Sequence, residues 1–278
     1  MDVALFAGGS ISKTFAPIAV KAGAVVIDNS STYRMDPDVP LIVPEVNPQD
    51  ITKHHGIIAN PNCSTIIMVM ALKPIYDLAR IKRVIVSTYQ AASGAGKDGL
   101  DELENQIKQA ARGEEMTAKI FPSASAQKHF PLALNLVPQI DIFLDNLYTK
   151  EEMKMVNETK KIFSDPELRV TATTVRVPVY RSHSESVNVE LEHDVELEDI
   201  RKALANFPGV VLQDDPSQQI YPMPLYTSGK NDVYVGRLRR DESAANSFNF
   251  WCVGDQIRKG AALNTLQIAE TMVKNGWL

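Results

Sequence analysis

The most constraining feature of this chain is the alternation of short apolar runs with helical signals over its first sixty residues. Val3-Ala4-Leu5-Phe6 is apolar and is stopped by Gly8-Gly9. Ser10 or Ser12 can cap a helix running towards Ala22, with Gly23 as its C-terminal stop. Val25-Val26-Ile27 is a second apolar run. Strand, helix and strand within about thirty residues read as a βαβ unit, which demands a parallel sheet with a helix crossing its face. Leu41-Ile42-Val43 and Gly56-Ile57-Ile58-Ala59 are further strand candidates.

Beyond Cys63 the pattern changes. Ser64 to Ala79 reads as a long apolar helix, bent or ended near Pro74. Val84 to Tyr89 is a β-branched strand, and Asp98 to Arg112 repeats Leu100, Leu103 and Ile107 at helical spacing. A second amphipathic helix fits Lys150 to Phe163, with Met153, Val156 and Phe163 inward. Strands are expected at Val170 to Val179, Ser186 to Leu191, Asp232 to Leu238 and Phe248 to Val253. A closing helix, Ala261 to Lys274, would place Leu263, Leu266 and Val273 on one face. The chain therefore reads as α/β first and α+β afterwards, with a boundary at Asn60-Pro61-Asn62.

Composition removes several classes. The 278 residues are 44% hydrophobic and 23% charged, which fits a globular core. The net charge of -5 argues against a nucleic-acid surface. No run of about 18 apolar residues exists, so no membrane span is expected. The N-terminus lacks the basic and apolar regions of a signal peptide. With only two cysteines, Cys63 and Cys252, the chain fits a reducing cytoplasm.

Cys63 is the best candidate for chemistry. It follows a strand and a Pro-containing turn and opens a helix, where unpaired N–H groups and the helix dipole favour the nucleophilic thiolate. A buried structural thiol is the competing reading. Cys252, beside Trp251 in an apolar strand, reads as core. Among five histidines, His183 lies between two strand candidates, where catalytic groups commonly sit. His54 and His55 read as surface. Ala7-Gly8-Gly9-Ser10 and Ser93-Gly94-Ala95-Gly96 each precede a helix and could approach an anion. A full G-x-G-x-x-G fingerprint is absent. Arg34 could grip a phosphate or carboxylate, but Arg34, Glu151, Lys154 and Arg176 taken singly carry no decisive signal.

Taken together these stretches resemble a family. Asn60-Pro61-Asn62-Cys63-Ser64-Thr65 is similar to the active-site turn of aspartate-β-semialdehyde dehydrogenases. VVIDNSSTYRM (25–35), STYQAASGAG (87–96), EEMK (151–154), RVP (176–178) and His183-Ser184-Glu185 follow in family order, as do DDPSQQIYPMP (214–224) and GAALNTLQIAE (260–270). The resemblance implies NADPH-dependent reductive dephosphorylation of L-β-aspartyl phosphate to L-aspartate 4-semialdehyde, on the route to lysine through diaminopimelate, methionine, threonine and isoleucine. It implies Cys63 as nucleophile and His183 as general acid/base. Gln90, Glu151 and Arg176 would hold the substrate, Arg34 and Lys154 the phosphate, and Ser93, Gly94 and Asn264 the NADP(H). No metal is implied. The partners implied are the small-molecule substrate and further copies of the chain, as a homodimer or a tetramer.

The resemblance also predicts a partial Rossmann-like dinucleotide-binding domain over residues 1–62, completed by 258–278, and an α+β catalytic and dimerisation domain with a mixed sheet over 63–257. Against the family pattern, roughly seventy residues are expected upstream of Met1, on the order of two β–α units. Without them, weak NADPH binding is expected. Two other readings are an N-acetyl-γ-glutamyl-phosphate reductase, against which NPNCST argues, and an inactive dimerisation module, against which Cys63, Gln90, Arg176 and His183 argue.

Overall fold

The computed structural model describes residues 2–278, arranged around two sheets. The first is parallel, in the order β1 (Val3–Phe6), β2 (Val25–Asp28), β3 (Ile57–Ala59). Helix α1 (Ser12–Lys21) is the crossover between β1 and β2, as the spacing predicts. Leu41 to Val43 is not a strand: Leu41 makes only a single bridge to Ala59. Pro40 and Pro44 bracket the run and withhold ladder donors. The Val43 N–H goes instead to Asn47 Oδ1, at 2.9 Å.

Helix α2 (Cys63–Leu78) continues for a turn beyond Pro74, close to the expected span. Proline removes one backbone bond, but Ser64 through Leu72 are all buried, so packing on every side holds the helix. Next come β4 (Ile81–Gln90), α3 (Gly96–Ala111), α4 (Lys150–Ile162), β5 (Arg169–Arg176) and β6 (His183–Leu191). The rest comprises α5 (Leu197–Asn206), β7 (Val210–Leu212), α6 (Pro224–Thr227), β8 (Val233–Arg240), β9 (Ser247–Gly254) and α7 (Leu263–Asn275). The second sheet runs β5-β4-β6-β9-β8-β7. It is mixed, because β4/β5 and β7/β8 are parallel and the other pairs antiparallel.

Helix α2 crosses one face of this sheet, packed by α4 and α5. Its Ile66, Ile67 and Met70 meet Val84, Val187, Val189, Phe248 and Phe250 in the main core. The opposite face carries Tyr89 and Trp251, whose rings lie 5.3 Å apart. Residues 112–149 contain no regular helix or strand and are pinned on α3 through Phe121, Leu132 and Leu103.

Two helices bury a different face from the one expected. In α4, Met155, Glu158, Thr159 and Ile162 are buried, while Met153 and Val156 are only partly so. In α7, Ile268 and Met272 join Ile27, Ile42, Ile51 and Ile58 on the first sheet, and Leu266 and Val273 are exposed. Both helices carry two apolar stripes, and buried polar side chains choose between them. Among the described residues, no helix is long and apolar enough to cross a membrane.

Gly254 ends β9 where α2 presses on the sheet, so a Cβ there would meet Ile67 Cγ1 at 2.9 Å. Gly254→Ala should therefore cost about 1–3 kcal/mol by overpacking. In an Ile67→Ala background the penalty should vanish, because the clash has gone. Denaturant midpoints of the four proteins check this, and an equal penalty in both backgrounds would contradict it.

Candidate active site

The site forms where strand ends of opposite sense meet. Gln90 is the last residue of β4 and pairs in register with Arg176, the last of β5. Strand β6 runs the other way, with Ser184 opposite Tyr89, so its first residue, His183, arrives at the same edge. All three side chains are buried. The parallel–antiparallel arrangement thus gathers three residues that are remote in sequence.

Cys63 reaches this edge from the N-terminus of α2. Its position is set by Asn62, whose Oδ1 accepts the N–H groups of Ser64 and Thr65 at 3.0 and 3.3 Å and so caps the helix. Asn62 Nδ2 donates to Glu151 Oε1 at 2.9 Å, and its main-chain N–H donates to Glu158 Oε2 at 2.6 Å. On the other side, a Cβ at Gly260 would stand 3.0 Å from Cys63 Cβ. Glycine there lets the turn before α7 lie directly on the cysteine.

Helix α4 brings the acidic and basic pair. Thr149 and Glu152 close a capping box that fixes where the helix starts. Glu151 and Lys154, one turn apart, face the site together, with Nζ 2.9 Å from Glu151 Oε2. Gln90 Nε2 also donates to Glu151 Oε1, at 3.4 Å. Arg34 comes from the loop after β2, on the C-terminal side of the first sheet. Its Nη1 donates to Glu158 Oε1 at 3.2 Å and its Nη2 to the Asn29 carbonyl at 3.1 Å. Arg34, Asn62, Cys63, Gln90, Gly94, Glu151, Lys154 and Arg176 all line one cavity of about 460 Å³.

The cavity and the wall behind it carry donors that have no partner. Arg34 Nε, Arg176 Nε and His183 Nε2 are buried and make no hydrogen bond within the protein. Leaving such groups unmet is costly, so the pocket is built for a ligand that brings acceptors. His183 Nδ1 accepts the Ala91 N–H at 3.0 Å, which places the proton of the neutral ring on Nε2. Burial, helped by the nearby Arg176, holds the imidazole pKa down at about 3 and keeps the ring neutral. Burial works against ionisation of Glu151 too, but Lys154, Asn62 and Arg176 overcome it and take the carboxyl to about 2.

The thiol departs from expectation. The helix N-terminus was expected to favour thiolate. Instead, burial and the Glu151 charge push the Cys63 thiol up to about 12, against the pull of Arg34, Arg176 and Lys154. Burial outweighs the helix terminus, whose contribution is typically about 0.3–1 kcal/mol. With these neighbours Cys63 is held as a neutral thiol.

The remaining expected residues lie behind this front. Gly94 packs on the strand-borne groups: a Cβ there would meet Arg176 Nη1 at 2.5 Å and His183 Nε2 at 3.1 Å. Ser93 is buried and its Oγ accepts from Gln256 Nε2. Asn264 is fully buried: Nδ2 donates to the Ile42 carbonyl and to Asn60 Oδ1, and Oδ1 accepts from Lys259. It braces the turn before Cys63 and does not line the cavity. Sequence reasoning assigned no role to Asn62 or Glu158. The first was findable as an N-cap three residues before Thr65. The second lies seven residues after Glu151, on the same helical face.

Comparison with known proteins identifies the family. A family model for the semialdehyde dehydrogenase dimerisation domain matches residues 72–259, and one for the semialdehyde dehydrogenase NAD-binding domain matches residues 1–54. A cysteine at a capped helix end, over a mixed sheet and beside a parallel βαβ unit, is thus the framework of a semialdehyde dehydrogenase. Within that class the chain belongs to the aspartate-semialdehyde dehydrogenase family. It is 55% identical to the aspartate-semialdehyde dehydrogenase of Bacillus subtilis over 276 residues, 99% of this chain and 80% of the relative. The crystal structure of aspartate semialdehyde dehydrogenase II from Vibrio cholerae superposes with a TM-score of 0.93 at 48% identity, covering 99% of this chain and 80% of that one. The same enzyme has been solved in complex with ASA, again with a TM-score of 0.93, at 47% identity and with the same coverage. An aspartate semialdehyde dehydrogenase from Candida albicans, solved with NADP, gives a TM-score of 0.75 at 25% identity, covering 100% of this chain and 78% of that one.

A thiol raised to about 12 ionises only in strong base. Carboxamidomethylation of Cys63 in the ligand-free protein should therefore keep rising about tenfold per pH unit through pH 10, since thiolate is the reacting form. Mass-spectrometric rates at that site check this. A plateau near pH 8.5, the behaviour of an ordinary cysteine, would contradict it.

Proposed function

We propose that this site carries out the reductive dephosphorylation of L-β-aspartyl phosphate to L-aspartate 4-semialdehyde, and its reverse, through a thioester on Cys63. The observation that supports it most is that Cys63 shares one cavity with Arg34 and Arg176, whose Nε donors have no partner, while His183, with its own open Nε2, stands directly behind the Gly94 that lines the same cavity. In the reductive direction the sulfur attacks the acyl carbon, the C–O bond to phosphate breaks, and a thioester forms. The nicotinamide dinucleotide, when bound, supplies the hydride that reduces this thioester. Return of the sulfur's electron pair from the resulting thiohemiacetal breaks the C–S bond and frees the aldehyde.

The protein's own groups act as follows. Arg176, with an open Nε, holds the substrate α-carboxylate, and the ionised Glu151 faces its ammonium. An acetamide in that place would leave the carboxylate without its cation, which disfavours an N-acetylated substrate. Gln90 orients the thioester. Arg34 and Lys154 hold the phosphate. His183 is the acid/base at Nε2: in the oxidative direction its N–H holds the substrate oxygen, and as sulfur adds to the aldehyde the proton given to that oxygen is replaced in the same concerted exchange by the one the thiol gives up, so the ring stays neutral. Its Nδ1 stays bound to the Ala91 N–H throughout.

The wall made by Ser93 and Gly94 fits a cofactor ring. Gly94 lies against Arg176 and His183 without a side chain, leaving room beside Cys63, and Asn264 fixes the neighbouring turn. NADPH is the form we propose, by likeness to the fungal relative solved with NADP. We assign residues 1–62 with 258–278 to the nucleotide-binding part and 63–257 to catalysis and dimerisation. The uncovered face of the second sheet would join two copies as a homodimer, alone or paired into a tetramer. The reaction would serve lysine, diaminopimelate, methionine, threonine and isoleucine synthesis in the cytoplasm.

NADPH formation from aspartate semialdehyde and NADP should require inorganic phosphate. Cys63→Ser should lower the rate by at least about a thousandfold, because the covalent route is lost. Absorbance of the reduced cofactor reads both. Phosphate-independent turnover, or turnover surviving in Cys63→Ser, would contradict the assignment.

A further inference from the structure

Glu158 lies on the α4 face that carries Glu151 and Lys154, at spacings i, i+3 and i+7. It is 1% exposed, and it is absent from the cavity wall. Its two oxygens are divided between two segments. Oε2 accepts the main-chain N–H of Asn62, the residue before Cys63, at 2.6 Å. Oε1 accepts Arg34 Nη1 at 3.2 Å. The Asn29 carbonyl holds Arg34 Nη2 at 3.1 Å, and Arg34 Nε remains buried without a partner. The guanidinium is thus fixed at two of its nitrogens while the third stays open.

Only a glutamate fits this position. Both neighbours are donors, so both oxygens must accept. Glutamine would turn its NH2 group against one donor, and aspartate is one methylene too short to span both. We propose that Glu158 is a positioning residue which, by dividing one carboxylate between Asn62 and Arg34, holds Arg34 Nε ready for the phosphoryl oxygens and sets how strongly the site binds phosphate. The inference rests on the reading of Arg34 as a phosphate ligand. It extends that reading to a residue that touches no substrate, and it ties the phosphate-binding arginine to the cysteine turn through one group.

The test uses the full chain and inorganic phosphate as the probe, with the rate of Cys63 carboxamidomethylation as readout. Phosphate should slow the reaction in the parent protein. The half-protecting concentration should rise about tenfold in Glu158→Gln, the scale of one charge-assisted hydrogen bond. Protection by aspartate semialdehyde should stay within about twofold, because Arg176 and Glu151 are untouched. Arg34→Gln should also weaken phosphate, and the double variant should be no worse than Arg34→Gln alone, since Glu158 acts through Arg34. Equal phosphate protection in the parent and Glu158→Gln, with Arg34→Gln impaired, would overturn the inference and leave the Arg34 reading standing. Loss of phosphate and aldehyde protection together in Glu158→Gln would overturn it as well, because that is the mark of a merely structural role. If phosphate protects the parent and Arg34→Gln alike, the reading of Arg34 fails and the inference with it. Should Glu158→Gln not fold, Glu158→Asp, which keeps the charge but cannot span both donors, is read against the same outcomes.

Discussion

The geometry of the site depends on Asn62. Its side-chain oxygen caps α2 and so places Cys63 at the first turn of the most buried helix in the fold. Its amide nitrogen and its main-chain N–H are both taken by carboxylates from α4. A helix cap is worth about 1 kcal/mol in isolation. Here its larger effect is registration, because the same residue fixes α2, α4 and the turn that leaves the first sheet. The buried Asn60–Asn264–Lys259 chain braces that turn from the other side.

Around this hub the two sheets make different contributions. The first supplies Arg34 from the loop beyond β2, as open parallel sheets commonly do at the carboxyl ends of their strands. The second supplies Gln90, Arg176 and His183 from the one edge where β4 and β5 end and β6 begins. The result is a pocket with an excess of donors, a neutral thiol and a neutral imidazole. Its buried guanidinium groups favour a ligand that brings negative charge, and such contacts are worth most where water is excluded.

Local features of this arrangement were legible in the sequence. The βαβ unit follows from apolar runs separated by a capped helix. The position of Cys63 follows from a Pro-containing turn before an apolar helix. The motif order pointed to the family, with both domains and the enzyme class. What depended on long-range packing was not legible. Gln90, Arg176 and His183 are spread over more than ninety residues, and only strand register brings them together. The buried faces of α4 and α7 were misjudged because each helix offers two apolar stripes. The Leu41–Val43 run was misjudged because the prolines on either side denied it a ladder. Glu158 sits in EEMKMVNETKK, where a glutamate reads as solvated until Arg34 and Asn62 are folded against it. The Cys63 thiol was misjudged because burial and the Glu151 charge outweigh the helix terminus and the three cations beside it.

The central claim is that Cys63 carries the acyl group. Intact-protein and peptide mass spectrometry after brief exposure to L-β-aspartyl phosphate, with no nicotinamide cofactor present, tests it most directly. The account predicts one aspartyl group on Cys63 per chain, with one equivalent of phosphate released. Release of phosphate with no acyl adduct, or an adduct on a residue other than Cys63, would contradict it.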